Sequence, residues 1–206
     1  DYKVTGVQTC ALPIFRTRVP GAAVLVAEQS DDGRRFNRGQ VINSAIDAYE
    51  KGLVPQLAGF EATHYVISDV DLLPSKDLAA FYSVVPRPGA LHLAVRNRVY
   101  EMPTVRGFFG GVGSVLPEHF RKAGGFPNRF WGWGGEDLAF RKRLEAAKVP
   151  LFRPDKGYIV NVPHGWGEEA GHAWDPDFHE KLRDDKAAVD GKLFHGSRGY
   201  AAEIGH

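Results

Sequence analysis

The sequence predicts an α/β layered domain built on a mostly parallel sheet. Three observations carry that prediction. Short continuous apolar runs at 22–27, 64–68 and 90–95 have the form of buried strands. Stretches at 38–53, 136–148 and 178–189 have the character of helices. Turn residues such as Asp31, Asp32 and Gly33 punctuate the boundaries. A chain of 206 residues can bury one substantial core around such a sheet.

Composition narrows the function classes. Lys and Arg number 26 against 25 Asp and Glu, a formal charge of +1, which excludes a nucleic-acid partner held by bulk charge. No apolar run reaches the ~18 residues that a bilayer-spanning helix requires, so no membrane segment is expected. With Gly 24, Pro 13, Phe 13 and Trp 4, the chain is rich in loops and aromatic rings. Loops are the expected seat of function.

The string Val4-Thr-Gly-Val-Gln-Thr-Cys-Ala-Leu-Pro-Ile14 matches the translation of a common sequencing-adapter oligonucleotide. Residues 1–14 are therefore expected to lie outside the native fold, with one domain over 15–192 and an unpatterned tail over 193–206. Cys10 is the sole cysteine and falls in the excluded stretch. A native part without cysteine needs a fold without disulfides and suits a cytoplasmic, bacterial enzyme. Whatever preceded Phe15, a Golgi-type anchor included, is expected to have been cut away.

After the strand at 22–27, Val41, Ile42, Ala45, Ile46 and Tyr49 form the apolar side of a helix starting at Arg38. A strand over His64–Ser68 ends in Asp69-Val70-Asp71. Leu78–Val84 reads as a short helix and Ala90–Val95 as a strand. Residues 107–116 are Gly-rich and apolar, and Pro117–Lys122 is a helical turn with Pro at its first position. Leu138, Phe140 and Leu144 supply the apolar side of the next helix. A strand at 158–162 and a helix over Phe178–Val189 complete the order.

Two segments carry chemistry. In open α/β sheets ligands bind beyond the carboxyl ends of strands, where Asp69 and Asp71 stand. Two carboxylates so placed can hold a hard divalent cation that bridges to phosphate; the plain alternative is a solvated turn. Downstream, Trp131-Gly-Trp133-Gly-Gly-Glu136-Asp137 runs straight from a glycine-rich loop into a helix. Glycines at 132, 134 and 135 raise the entropy cost of ordering that loop, while exposed Trp faces suit sugar rings. Asp137 could take a proton from a hydroxyl nucleophile and Glu136 could hydrogen-bond the same substrate. The alternative is a helix start with acids at its positive dipole end, which needs neither tryptophan.

With these residues assembled, the chain resembles the beta-1,4-galactosyltransferase family, family 7 glycosyltransferases of GT-A fold. The resemblance rests on Phe36-Asn-Arg-Gly39, Ser68-Asp-Val-Asp-Leu72, Phe109-Gly-Gly-Val112, Gly125-Phe-Pro-Asn128 and Trp131-Gly-Trp-Gly-Gly-Glu-Asp137. It implies a nucleotide-sugar-binding sheet flanked by helices, with the family's first strand and helix missing here. It also implies inverting transfer of a hexose from a UDP-sugar to a saccharide or glycoconjugate hydroxyl. Phe36 and Arg38 would line the nucleotide site, and Asp69 with Val70 would approach the donor. Gly110 and Gly111 would line the donor sugar, and Trp133 would close over the substrates. Glu136 would contact the acceptor and Asp137 would act as base. Asp71 and His164 would bind manganese, with magnesium tolerated; His172 is the other candidate ligand.

Departures from the family pattern shape the expectations. Phe15-Arg-Thr-Arg18 imitates the family's nucleotide loop but stands only three residues before the strand at 22, so part of the uridine site is expected to be missing. Asn161 replaces a Met that many animal members carry before the metal His, leaving an oxygen- and nitrogen-rich site. Phe108 stands where vertebrate enzymes have a Tyr limiting the donor's 2-substituent, which favours galactose over N-acetylgalactosamine. N-acetylgalactosaminyl- and chondroitin-polymerase-type transferases share a looser form of the Trp-Gly motif. A glycoside hydrolase would need carboxylates ~5–9 Å apart across a bond, which the adjacent Asp69 and Asp71 do not suggest. A non-catalytic sugar-binding domain is the remaining class.

Overall fold

The computed structural model describes residues 2–3, 17–94, 109–162 and 176–190. Its centre is a four-stranded sheet in the order β3-β6-β5-β7, formed by Tyr65–Ser68, Val112–Val115, Ala90–His92 and Leu151–Phe152. β3 and β6 pair antiparallel with Ser68 opposite Val112, and β5 and β6 antiparallel with His92 opposite Gly113. β5 and β7 run parallel. A second antiparallel ladder joins β4 (Leu72–Pro74) to β8 (Ile159–Asn161). The expectation of a mostly parallel sheet is thus corrected: among the described residues one of these pairs is parallel. Burial on both faces makes a strand read as an apolar run whichever way its neighbours point, so the pattern carries no direction.

The run at 22–27 is also corrected. It forms no regular strand; residues 22–24 are exposed, and only Glu28–Gln29 (β2) pairs, with Tyr2–Lys3 (β1). A strand is stabilised by neighbours on its edges, and none of the described strands lies along 22–27. Conversely, β6 lies in the stretch that reads only as Gly-rich and apolar, where Gly113 and the glycines before it mask a strand whose four residues are all buried.

The helices follow the sequence closely. α1 (Arg38–Glu50) starts at Asn37, whose side chain accepts from the Gln40 N–H, satisfying one of the open donors of a helix start. α2 (Lys76–Ala79) is capped by Ser75 and continues into a 3₁₀ turn over Ala80–Ser83. α3 (Pro117–Ala123) has Pro in its first turn, where a missing N–H costs nothing. α4 (Glu136–Ala146) and α5 (Phe178–Asp190) pack together, and Arg143 of α4 is paired with Asp185 of α5.

One cluster of the core joins α4 to the sheet. Phe140 stacks on Phe126 with ring centroids 4.1 Å apart and meets Phe109 and Phe120 at 5.7 and 5.6 Å. Leu144, Val115 and Ala90 complete it. A second cluster of Leu72, Leu78, Tyr82, Leu93, Val112 and Ile159 fills the space by β4 and β8. Together they fix the ends of β3 and α4, which carry the two acidic segments.

Candidate active site

The first turn of α1 is docked against the Gly125-Phe-Pro-Asn128 loop. Asn37, fully buried, donates to the Asn128 carbonyl at 2.6 Å. Asn43 donates to the Phe126 carbonyl at 2.8 Å and accepts from the Phe126 N–H at 3.0 Å. Gly39 permits the contact, since a Cβ there would lie 2.4 Å from the Pro127 carbonyl oxygen. The loop therefore meets α1 through buried amides that pair with its backbone and with Asn128. Asn43 escaped the sequence reading; its signal was an amide within the apolar stripe of Val41, Ile42 and Ala45.

That docking leaves Arg38 between two acidic segments. Its Nε donates to Asp69 Oδ1 at 2.7 Å, and its Nη1 lies 3.5 Å from Glu136 Oε1. The guanidinium stands over the Phe126 ring, 5.5 Å from its centroid, a cation–π arrangement. Burial works against its charge, but Asp69 and Glu136 outweigh that and hold it above the ordinary arginine range.

Asp69 and Asp71 follow the end of β3. The Asp69 N–H donates to the Gly111 carbonyl at 2.9 Å, joining the acidic turn to the strand that follows Gly110 and Gly111. Val70 at the tip is 62% exposed. Asp71 is tied to β8: its carbonyl accepts from the Val162 N–H at 2.7 Å, and its Oδ2 lies 3.5 Å from Asn161 Nδ2.

Glu136 and Asp137 occupy the first turn of α4, behind Gly135 at its start. Burial pushes the Glu136 carboxyl up to about 7, against the pull of Arg38 and with the help of Asp137. Asp137 is raised for the same first reason, again opposed by Arg38, and its Oδ1 accepts from the Leu138 N–H at 2.7 Å. The loop before them is bound back to α1's entry: the Gly132 N–H donates to the Phe36 carbonyl at 2.8 Å, and Arg34 stacks on Trp131 at 4.4 Å. The Phe36 and Trp133 side chains are 51% and 44% exposed, consistent with a surface left for a ligand.

Contacts through Arg38, the Asp69 N–H and the Gly132 N–H thus link Arg38, Asp69, Gly111 and Glu136 with the Phe36 backbone and the Trp-Gly loop, with Asp137 next to Glu136 and Asp71 two residues beyond Asp69. Phe108, His164 and His172 lie outside the described residues. Among the described residues no group of three His, Cys, Asp or Glu side chains is placed to hold a metal. Asp71 still offers one hard oxygen ligand, and the Val162-to-Asp71 bond fixes β8, whose sequence leads on to His164. The donor types fit a divalent cation.

A fold of the GT-A type is what these elements define. A family profile described as "N-terminal domain of galactosyltransferase" matches residues 90–165. Human and mouse beta-1,4-galactosyltransferase 1 are each 32% identical over 143 residues, 69% of this chain and 33% of theirs. Human beta-1,4-galactosyltransferase 3 is 30% identical over 168 residues, 79% and 40%. A mutant of Drosophila beta-1,4-galactosyltransferase 7 in complex with manganese, UDP-Gal and xylobiose superposes with a TM-score of 0.65 at 25% identity, covering 84% of this chain and 71% of that one. The chain carries a domain of the beta-1,4-galactosyltransferase family. Its matches span 33–40% of the length of these human and mouse relatives.

These relatives correct the expected setting. They come from human, mouse and Drosophila, which overturns the bacterial cytoplasmic assignment. Cysteine usage misled because a domain with a sufficient apolar core needs no disulfide in any compartment.

Proposed function

We propose that the chain is the catalytic part of a metal-dependent, inverting transferase moving a hexose, galactose by preference, from a UDP-sugar to a saccharide hydroxyl. The observation that supports this is the Arg38 bridge, which sets the donor-side carboxylate Asp69 within reach of the same guanidinium as Glu136. A hydrolase would need no such junction. The Drosophila relative is in complex with manganese and UDP-Gal, which favours manganese and that donor here.

Asp71 and His164 are the residues that would hold the cation. Bound there, it would neutralise charge developing on the departing diphosphate. Asp137 takes the proton of the acceptor hydroxyl as that oxygen bonds to the sugar's anomeric carbon and the carbon–phosphate-oxygen bond breaks. Glu136 accepts a hydrogen bond from the acceptor and orients it. Phe36 and Trp133 offer flat apolar faces to the substrates, and closure of the Trp-Gly loop excludes water that would hydrolyse the donor. The preference for galactose rests on the bulk of Phe108.

Release of UDP in the presence of manganese and simple sugar acceptors tests the reading. Asp137→Asn is expected to lower kcat by about 10²–10⁴-fold with UDP affinity retained. Asp71→Asn is expected to abolish the manganese dependence of UDP binding. Full turnover by Asp137→Asn refutes the base, and no UDP release by a chain restored with the upstream nucleotide loop refutes the transferase.

A further inference from the structure

The corner at Gly110–Val112 has an unusual backbone. Gly111 takes φ +68°, and the Val112 N–H closes onto the Gly110 carbonyl at 2.8 Å. A hydrogen bond from i to i+2 around a positive-φ centre is the rare, strained kind of γ-turn, and strain of that sort collects at functional sites. No side chain is tolerated at its centre, where a Cβ would meet Ala94 Cβ at 2.9 Å and Leu72 Cδ1 at 3.0 Å. The turn is also fastened to the acidic segment, through the Asp69 N–H on the Gly111 carbonyl.

A second donor, besides the Val112 N–H, reaches the Gly110 carbonyl. His92, 2% exposed at the end of β5, places Nε2 3.0 Å from the Gly110 oxygen. Its ring lies beside Phe109, with centroids 5.5 Å apart, so packing fixes the imidazole plane. Burial pushes His92 down to about 4, which leaves it neutral near pH 7, and a carbonyl partner requires the tautomer with hydrogen on Nε2.

We propose that His92 is a positioning residue: its imidazole N–H anchors the Gly110 carbonyl and so holds the γ-turn in the orientation that receives the nucleotide-sugar donor. A trans peptide directs its N–H opposite to its carbonyl. Anchoring the Gly110 oxygen on buried His92 therefore turns the N–H of partly buried Gly111 the other way, away from the imidazole, where it becomes a donor for a sugar hydroxyl or phosphate oxygen. The inference rests on the transferase reading for the identity of the ligand; the anchoring itself does not.

The test compares the full chain with His92→Gln, which keeps an N–H near the same reach, and His92→Leu, which keeps bulk without a donor. Calorimetry with UDP and manganese reads donor affinity, steady-state assays read the KM of each substrate, and circular dichroism reports folding. His92→Leu is expected to weaken UDP binding and raise the donor KM by about five- to tenfold, the scale of one hydrogen bond, with the acceptor KM unchanged. His92→Gln is expected to restore most of the loss, and hydrogen exchange of the Val112 amide is expected to quicken in His92→Leu alone. Unchanged donor affinity or unchanged Val112 exchange in a folded His92→Leu overturns the proposal, as does failure of folded His92→Gln to recover. Absence of UDP binding both by the parent and by a chain restored with the upstream nucleotide loop overturns the transferase reading instead, and Val112 exchange still decides the anchoring.

Discussion

Three carboxylates lie within the field of one guanidinium, and their ionisation is a contest between burial and that single positive charge. Burial raises both Glu136 and Asp137, and Arg38 is the largest force acting the other way. Removing Arg38 therefore lets both rise further. Arg38→Met is expected to move the acid limb of the kcat/KM profile to higher pH, because the base must be ionised to act. An unmoved limb in a folded variant refutes the arrangement. Stability responds as well. Glu136 has a folded value near 7 against an ordinary 4.5, so between those values the folded state binds more protons than the unfolded state. Stability is then fullest below about 4.5 and declines as pH rises through 7. Glu136→Gln is expected to flatten that slope, which thermal midpoints at pH 4.5, 6 and 8 would show. An equally steep slope rules out Glu136 as its source.

At the scale of elements, α4 is held to the sheet by Phe140, buried among Phe109, Phe120 and Phe126. Phe140→Ala is expected to destabilise the fold by about 3–5 kcal/mol, read by denaturant midpoint; a loss below 1 kcal/mol means that this cluster does not anchor α4. Helices were legible in the sequence because their signals are local: apolar spacing marks the one from Arg38 and Pro117 opens another, whereas the helix capped by Ser75 begins at Lys76, two residues before the Leu78 that the pattern suggests. Strands were less so. β6 hid behind Gly113, β4 and β7 are too short for a period, and strand direction depends on partners far along the chain. Likewise the acids and the Trp-Gly loop could be read from residue type and order. The Arg38 bridge, the Asn43 docking and the His92 anchor could not, because each joins residues 18 to 98 positions apart.

Across the whole molecule, α5, the last helix among the described residues, is tied to the loop that supports Arg38. Arg143 pairs with Asp185 and also donates to the Gly124 and Gly125 carbonyls at 3.2 Å, directly before Phe126. Both side chains are largely buried, so Asp185→Ala leaves an uncompensated charge. It is expected to cost roughly 3 kcal/mol, the lower end for a broken buried pair, with UDP affinity falling as the Gly125–Asn128 loop loosens. Calorimetric unfolding and UDP titration on one preparation would show both, and a fully retained midpoint refutes the coupling. The seam of Asn37, Gly39 and Asn43 against Phe126, Pro127 and Asn128 has a bearing on engineering. Neither piece is an independent cassette. A chimera importing residues 36–43 from a distant relative should misassemble, whereas exchanging that piece together with 125–128 should preserve the interlock.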